Sequence, residues 1–371
     1  MRHPAPKLIL HVFPSFAVGG SQARFAAIAN HFGPRFRHVI ISMDGNRACQ
    51  SRLDPGLDVT FHDVVVRQGR TLGNIPPFRR LLRTLRPDAL FTYNWGTIDW
   101  ALANLGQLVR QVHVEDGFGP EERSAQLPRR VWMRRVFLRR CLVLLPSRTL
   151  YAIARDIWRL NPAGLRYVPN GIDLDRFGPE THVPGPIPLV GTVAALRAEK
   201  NVARLLRAFA AFQQHGAPPP ARLMIVGDGP ERAMLEALAQ ELGVTVEFVG
   251  HVDQPAALIR QFDVFALSSD TEQMPLSLLE AMAAGCAVAA TDVGDVRRMV
   301  AGLNQPFVTA PDDVALGEAL RRLVDDPALR QQLGAANRQK AELEYDQAGM
   351  FAAWGDLMDG RAAGSRAGVV R

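Results

Sequence analysis

Cysteine is scarce: Cys49, Cys141 and Cys286 are scattered through 371 residues, with no CxxC pair and no clustered histidines nearby. That scarcity argues against a disulfide framework and a zinc site and favours a reducing compartment. No uninterrupted apolar run reaches the roughly 18 residues of a membrane span. The opening segment "MRHPAPKLILHVF" lacks a small-residue cleavage site and a long apolar h-region, so it reads as a first strand rather than a leader. GxGxxG does not occur after that strand, so dinucleotide binding has no support. No Ser-His-Asp or Cys-His arrangement is legible either.

What is present is an ordinary globular composition, 47% hydrophobic and 22% charged, long enough for two domains. The net charge of +6 is unevenly divided. Residues 1–180 hold 26 of the 43 basic residues and 14 of the 37 acidic ones, leaving the first half at +12 and the rest at −6. Such asymmetry means that the halves meet different partners or attract each other across a cleft.

Strand and helix patterns alternate along almost the whole chain, which predicts parallel sheets built from βαβ units. The strand candidates of the first half are "LILHVF", "HVIISM", "VTFHDV", "DALFTY", "QVHVED", "CLVLLP" and "LRYVPN". Those of the second are "PLVGTVA", "RLMIVGDG", "VTVEFVG", "DVFALSS", "AVAATDV" and "QPFVTA". The stretch Gly178–Pro188, rich in Pro and Gly, reads as a linker. The expected fold class is α/β, with Rossmann-like domains over 1–178 and 188–344 and a cleft between them. A helix near 345–360 is placed to pack back across the linker, and the tail 361–371 reads as disordered.

The stretch "SSDTEQMPLSLLEAMAAG", Ser268–Gly285, puts a carboxylate, Glu280, in an almost wholly apolar helix. Pro275 suits the first helical position and Gly285 the C′ position. Ser277, Glu280 and Ala284 form one narrow polar stripe on a helix that is otherwise interior. The helix N-terminus then lies at a strand's carboxyl end, where parallel sheets bind ligands and free N–H groups meet phosphate. On spacing alone, Glu280 is either a ligand contact or a structural carboxylate.

Two other loops have phosphate-binding character. Gly19 and Gly20 follow the first strand and open a helix near Ser21. Arg197 and Lys200 precede the helix "NVARLLRAFA" and could neutralise a diphosphate. The glycines of "IVGDGPE" could serve only a turn. Asp173 and Asp175 have DxD spacing but follow the Asn-Gly of "VPNG", so they read as turn and capping residues, and no metal site is expected.

Taken together, "VPNGIDLDRF", "GTVAALRAEKN", "LMIVGDGPER", "EFVGH" and "SSDTEQMPLSLLEAMAAGCAVAATDVG" resemble the family 4 retaining glycosyltransferases of GT-B fold. The resemblance covers residues 7 to about 345. It implies transfer of a sugar from a nucleotide-diphosphate sugar to a glycan or lipid-linked acceptor, with no cofactor and no bound metal. The first domain would hold the acceptor and the second the donor. Glu280 would accept the ribose hydroxyls and Glu272 would lie near the donor sugar. The N–H groups around Leu276 and Ser277 would face the diphosphate with Arg197, Lys200 and the Gly19-Gly20 loop. Backbone at His251 and Val252 would frame the base.

The chain departs from the family pattern in three places. The loop reads Glu272-Gln273-Met274-Pro275 where the family has Gly after the Glu, which brings Gln273 and Met274 to the donor side. Ala195 stands where the family has an Arg, with Arg197 the nearest substitute. Asp116-Gly117 replaces a His-Gly pair. At that last place three outcomes stay open: Asp116 makes the contact, His113 reaches in from the strand, or the site is degenerate. The alternation of strand faces favours Asp116. Two other functions also stay open, a nucleotide-sugar epimerase or hydrolase and a non-catalytic nucleotide-sugar binder. The arginine-rich segment Leu127–Cys141 reads either as a surface for anionic membrane or as a solvated, cleft-lining helix. The expected location is cytoplasmic, peripheral at the membrane if that surface is used, with no nucleic-acid partner.

Overall fold

The structure, a computed structural model, describes residues 5–66, 71–122, 125–178, 185, 187–214 and 220–361. Most of the Gly178–Pro188 stretch and of the tail 361–371 lies outside them. The chain divides into two compact units, Met1–Pro169 with Ala348–Arg371, and Asn170–Gln347. The first passage between units thus falls ahead of the Pro- and Gly-rich stretch.

In the first unit the strands are β1 (Lys7–Phe13), β2 (Phe36–Ser42), β3 (Val59–Phe61), β4 (Ala89–Tyr93), β5 (Gln111–Val114), β6 (Leu142–Leu145) and β7 (Leu165–Tyr167). They form one parallel seven-stranded sheet in the order β3-β2-β1-β4-β5-β6-β7. The second unit contains β8 (Leu189–Val193), β9 (Arg222–Val226), β10 (Val246–Gly250), β11 (Val264–Leu267), β12 (Ala287–Thr291) and β13 (Val308–Thr309). Their order is β10-β9-β8-β11-β12-β13, again all parallel. Each strand candidate of the sequence forms a strand. Runs such as Ala287–Thr291 are buried at every position because helices cover both faces, which is why they read as continuous apolar segments.

Strand order reverses direction between β1 and β4 in one sheet and between β8 and β11 in the other. Loops leaving the carboxyl ends of those strand pairs diverge and open a crevice, the usual ligand position in such sheets. Those loops are Pro14–Gly19 and Asn94–Thr97 in the first unit, and Ala194–Lys200 and Ser268–Pro275 in the second.

The helix Gln347–Asp359 completes the first unit's core. Met350, Phe351, Trp354, Leu357 and Met358 join the cluster around Ile9, Phe13 and Phe91. The Trp354 ring stacks on Phe91 with centroids 5.6 Å apart, and Arg110 donates to the carbonyls of Leu357 at 2.6 Å and Met358 at 3.1 Å.

Candidate active site

The second unit's crevice is built on glycines that allow backbone to touch backbone. Gly227 (φ 137°) follows β9, and a Cβ there would lie 1.9 Å from the Ala194 carbonyl oxygen. A Cβ on Gly229 would lie 2.5 Å from Leu196 O. Leu196 N–H donates to Asp228 O at 3.0 Å and Glu231 N–H to Leu196 O at 3.1 Å. The glycines of "IVGDGPE" therefore do more than turn the chain: they support the loop carrying Arg197 and Lys200. That loop ends in a single 3-10 turn, Ala198–Lys200, stopped by Asn201 in a left-handed conformation.

Lys200 Nζ donates to Glu272 Oε1 at 2.6 Å, and Ser269 Oγ donates to the same oxygen at 2.8 Å. Among the described residues no donor reaches Glu272 Oε2. The carboxylate is thus held at one oxygen and offers the other. The segment after it is held from two sides. A Cβ on Gly294 (φ 56°) would lie 2.2 Å from Glu272 O, so no larger residue fits there. Asp295 N–H donates to Gln273 O at 3.0 Å, and the Asn170 amide donates to Met274 O at 3.0 Å.

The helix Leu276–Ala283 then begins one residue later than the sequence suggests. Pro275 is its N-cap, because ψ 125° keeps it extended while its carbonyl accepts from Leu279 N–H at 3.4 Å. No side chain caps the helix, so its first-turn N–H groups, Leu276 and Ser277 among them, point out of the helix end. Leu278, Leu279, Ala281, Met282 and Ala283 are buried, whereas Ser277, Glu280 and Ala284 form the partly exposed stripe. Gly285 (φ 78°) takes the C′ position. Glu280 is therefore on the open side of an otherwise interior helix.

Arg197 is exposed at the start of the 3-10 turn, and Ala195 beside it is also exposed. His251 and Val252 follow the edge strand β10, two strands removed from β8. His251 is exposed and meets Asp253 at 3.2 Å, while Val252 packs on the core. Asp173 caps a turn, accepting from Arg176 N–H at 3.0 Å.

The first unit's crevice is closed more tightly. Gly19 is the extended N-cap (φ −165°) of the helix Gly20–Phe32, with no side-chain cap. A Cβ on Gly96 would lie 2.7 Å from Pro14 Cβ, so the two crevice loops touch. Asn94 adopts φ 55°, ψ 177°, a conformation costing on the order of 1–3 kcal/mol for a non-glycine residue. Its Oδ1 accepts from Asp116 N–H at 2.7 Å, which fixes Asp116 just beyond β5.

Both Asp116 oxygens accept from Arg24, at 2.7 and 2.9 Å. Arg24 is buried on the first helix, its guanidinium 5.5 Å from the Trp354 ring. A carboxylate forked by Arg keeps lone pairs for a further donor. His113 is fully buried, Nδ1 2.9 Å from Thr92 Oγ1 and Nε2 3.5 Å from Glu115 Oε2. The two share a strand face, as alternation predicts.

Sequence reasoning missed Arg24, Asn94 and Asn170. Arg24 carried the same signal as Glu280, a charge on the apolar stripe of a helix beside Phe25 and Ile28. The structure also divides the arginines of Leu127–Cys141 between interior and surface. Within the helix Pro128–Phe137, Arg134 is fully buried. It donates to Glu122 at 3.0 Å twice and to Glu115 at 3.3 Å. Trp95, Phe118 and Trp158 lie about its guanidinium at 4.9–5.2 Å. Arg130 binds Glu122 and Arg135 binds backbone carbonyls, leaving Arg129, Arg139 and Arg140 exposed. The six arginines are not one surface set.

Farther along the polar interior, His11 Nδ1 lies 3.1 Å from Tyr93 Oη, and His11 Nε2 lies 3.1 Å from His38 Nδ1. Burial first, and the neighbouring His38 second, push His11 well below its ordinary range. Burial lowers His38 to about 4 against the opposing pull of Asp58. Burial also raises the Tyr93 phenol.

Two family models match the chain: "Glycosyltransferase Family 4" over residues 18–176 and "Glycosyl transferases group 1" over residues 179–340. A 2-deoxystreptamine glucosyltransferase of Streptomyces kanamyceticus is 35% identical over 38% of this chain and 37% of its own length. The lipopolysaccharide core biosynthesis glycosyltransferase LpsD of Rhizobium meliloti is 34% identical over 37% of this chain and 41% of its own. The chain thus spans about two fifths of the length of these relatives. Among solved structures, Anabaena Alr3699/HepE in complex with UDP and glucose superposes with a TM-score of 0.79 at 18% identity, covering 95% of this chain and 100% of that one. That likeness speaks for the fold. With the paired parallel sheets and both halves matched, the chain belongs to the family 4 glycosyltransferases of GT-B fold.

Proposed function

We propose that the protein is a retaining glycosyltransferase that moves a sugar from a nucleotide-diphosphate sugar to a glycan or lipid-linked acceptor. It would build a surface polysaccharide or other glycoconjugate in the cytoplasm. The observation that carries the reading is Glu272: Lys200 and Ser269 hold one of its oxygens beside an uncapped helix N-terminus. On this reading Oε2 takes a hydroxyl of the donor sugar, with Gln273 and Met274 forming the adjoining wall. The leaving diphosphate meets the N–H groups of Leu276 and Ser277, Arg197 and Lys200. Charge on the leaving group is then stabilised by preorganised donors without a metal or other cofactor. Glu280 accepts the ribose hydroxyls, and backbone at His251 and Val252 frames the base. The HepE complexes, which hold UDP, support a nucleotide donor of this kind.

Calorimetry with UDP and GDP, followed by turnover with and without acceptor in EDTA, tests this. Binding of one nucleotide, weakened about tenfold by Glu280→Ala, and acceptor-dependent release in EDTA are expected; tenfold is roughly the 1.4 kcal/mol of one charge-assisted bond. Equal nucleotide binding by Glu280→Ala would sink the ribose assignment. Release without acceptor would favour a hydrolase or epimerase, and binding without turnover a non-catalytic binder.

The acceptor side also supports contact with an anionic membrane. No helix among the described residues is long and apolar enough to cross a membrane. Instead Trp132 is 56% exposed beside Leu127 and Ile157. A groove of about 430 Å³ lined by Val131, Trp132, Arg135 and Ile157 lies there, with Arg129 exposed nearby. Sedimentation with anionic liposomes should fall with salt and with Trp132→Ala. Binding indifferent to both would reject the contact.

A further inference from the structure

We propose that Asn170 is a positioning residue for the Glu272–Pro275 segment, and so sets the placement of the donor sugar without touching it. The proposal rests on the reading of Glu272 given above.

Three successive carbonyls in that segment are each held differently. Glu272 O lies against Gly294 and Gln273 O accepts from Asp295 N–H. Both of those restraints come from the turn after β12. Met274 O accepts the Asn170 side-chain amide at 3.0 Å, and Met274 Sδ accepts Asn170 N–H at 3.2 Å. Asn170 and Met274 are both buried, 6% exposed each. A buried amide bonded to a buried carbonyl is hard to replace, since no water stands ready to substitute for either partner.

Asn170 is itself anchored. Two residues on, Ile172 N–H donates to Tyr345 O at 2.8 Å, Gln347 N–H donates to Ile172 O at 3.1 Å, and Ile172 pairs with Asp346 in a parallel bridge. Residue 170 opens the second unit and residue 347 closes it. The sugar-side loop is therefore tied to the bridged backbone where the chain enters and leaves that unit. This gives "VPNG" a task beyond its turn. The amide reaches Met274. Aspartate has the right shape and lacks the N–H. Glutamine adds a methylene to a packed site.

The test uses the full chain with Asn170→Asp. Hydrogen exchange on the ligand-free protein is read at residues 272–276 and, as internal controls, at β8, β9 and β12. Asn170→Asp should speed exchange about tenfold at 272–276 and leave the three strands at the wild-type rate. With whichever of UDP and GDP the wild type binds, affinity should stay within about twofold while kcat falls roughly 10–100-fold, the scale of an ångström-level misplacement. Unchanged exchange at 272–276, or faster exchange spread evenly over the unit, would overturn the proposal. A loss of nucleotide affinity in step with kcat would do the same. If wild type binds neither nucleotide, the reading of Glu272 fails, and the exchange measurement still decides what Asn170 does.

Discussion

After β8 and β11 the charges meet through one oxygen: Lys200 reaches only Oε1 of Glu272, and the two side chains are 26% and 10% exposed. After β1 and β5 they meet through two, although Asp116, 18% exposed, lies no deeper than Glu272. Arg24 is 5% exposed and takes both oxygens of Asp116, and Asn94, itself in a strained conformation, accepts from the Asp116 N–H. The two sheets share a topology, and their crevices occupy equivalent places in it. What differs is which partner completes the electrostatics. In the second unit a carboxylate oxygen remains for something from outside. In the first the protein has supplied most of the pairing itself. A site that is to bind and release a ligand is better served by the second unit's arrangement. One that is to hold an atom fixed is better served by the first unit's.

Substitution at the doubly bonded pair should break the contrast most visibly. Asp116→Asn leaves a buried guanidinium facing a neutral amide, so it should lower stability by about 1–3 kcal/mol, less than a fully buried broken pair because Asp116 is partly exposed. Turnover should fall roughly 10²-fold, the lower end for acid–base groups, with nucleotide affinity kept. Urea unfolding and steady-state kinetics read both. Near-normal turnover, together with an inactive His113→Ala, would move the role to His113.

Acid should separate the units next. The only described histidine of the second unit, His251, is exposed. The first unit buries His11 and His38 as neutral rings. Their folded pKa values are depressed, so the stability they contribute is full above about pH 6.5 and is lost as pH falls toward about 4. His38 alone should account for about 2 kcal/mol between pH 7 and pH 5. The drop in urea midpoint between those pH values should be smaller in His38→Gln, with His11 keeping its share, and an equal drop in the variant would refute the assignment.

The singly bonded pair should matter least to folding. Glu272→Gln is expected to change stability by under about 1 kcal/mol, because the amide oxygen still accepts from Lys200 and Ser269, while reducing turnover. A stability loss as large as that of Asp116→Asn would erase the distinction drawn here.

These differences also explain what could be read from the sequence. The strands were legible because parallel strands covered on both faces are apolar throughout, as at Ala287–Thr291. Lys200, Glu272 and Glu280 were legible because each stands in or beside a turn-rich loop after such a strand, or breaks an apolar helix. Arg24 gave the same local signal as Glu280, a charge on an apolar helix stripe, but nothing nearby in the sequence pairs with it. Its partner is 92 residues away. Asn94 was invisible because nothing in "TYNWG" announces a positive φ at a residue other than glycine. The arginines at 129–140 could not be divided between surface and interior because composition counts charges and cannot tell that Arg134 lies inside among three aromatic rings.

The helix Gln347–Asp359 has a consequence for how the chain is made. It supplies Met350, Phe351, Trp354, Leu357 and Met358 to a core whose other members were synthesised more than 170 residues earlier. During translation, residues 1–169 emerge with an apolar face that nothing yet covers. The later unit has all its strands by residue 309 and its last residue at 347. The order of completion on the ribosome is therefore the reverse of the order of synthesis: the unit made second is the first able to finish folding, and the unit made first stays exposed to chaperones until the final helix clears the exit tunnel.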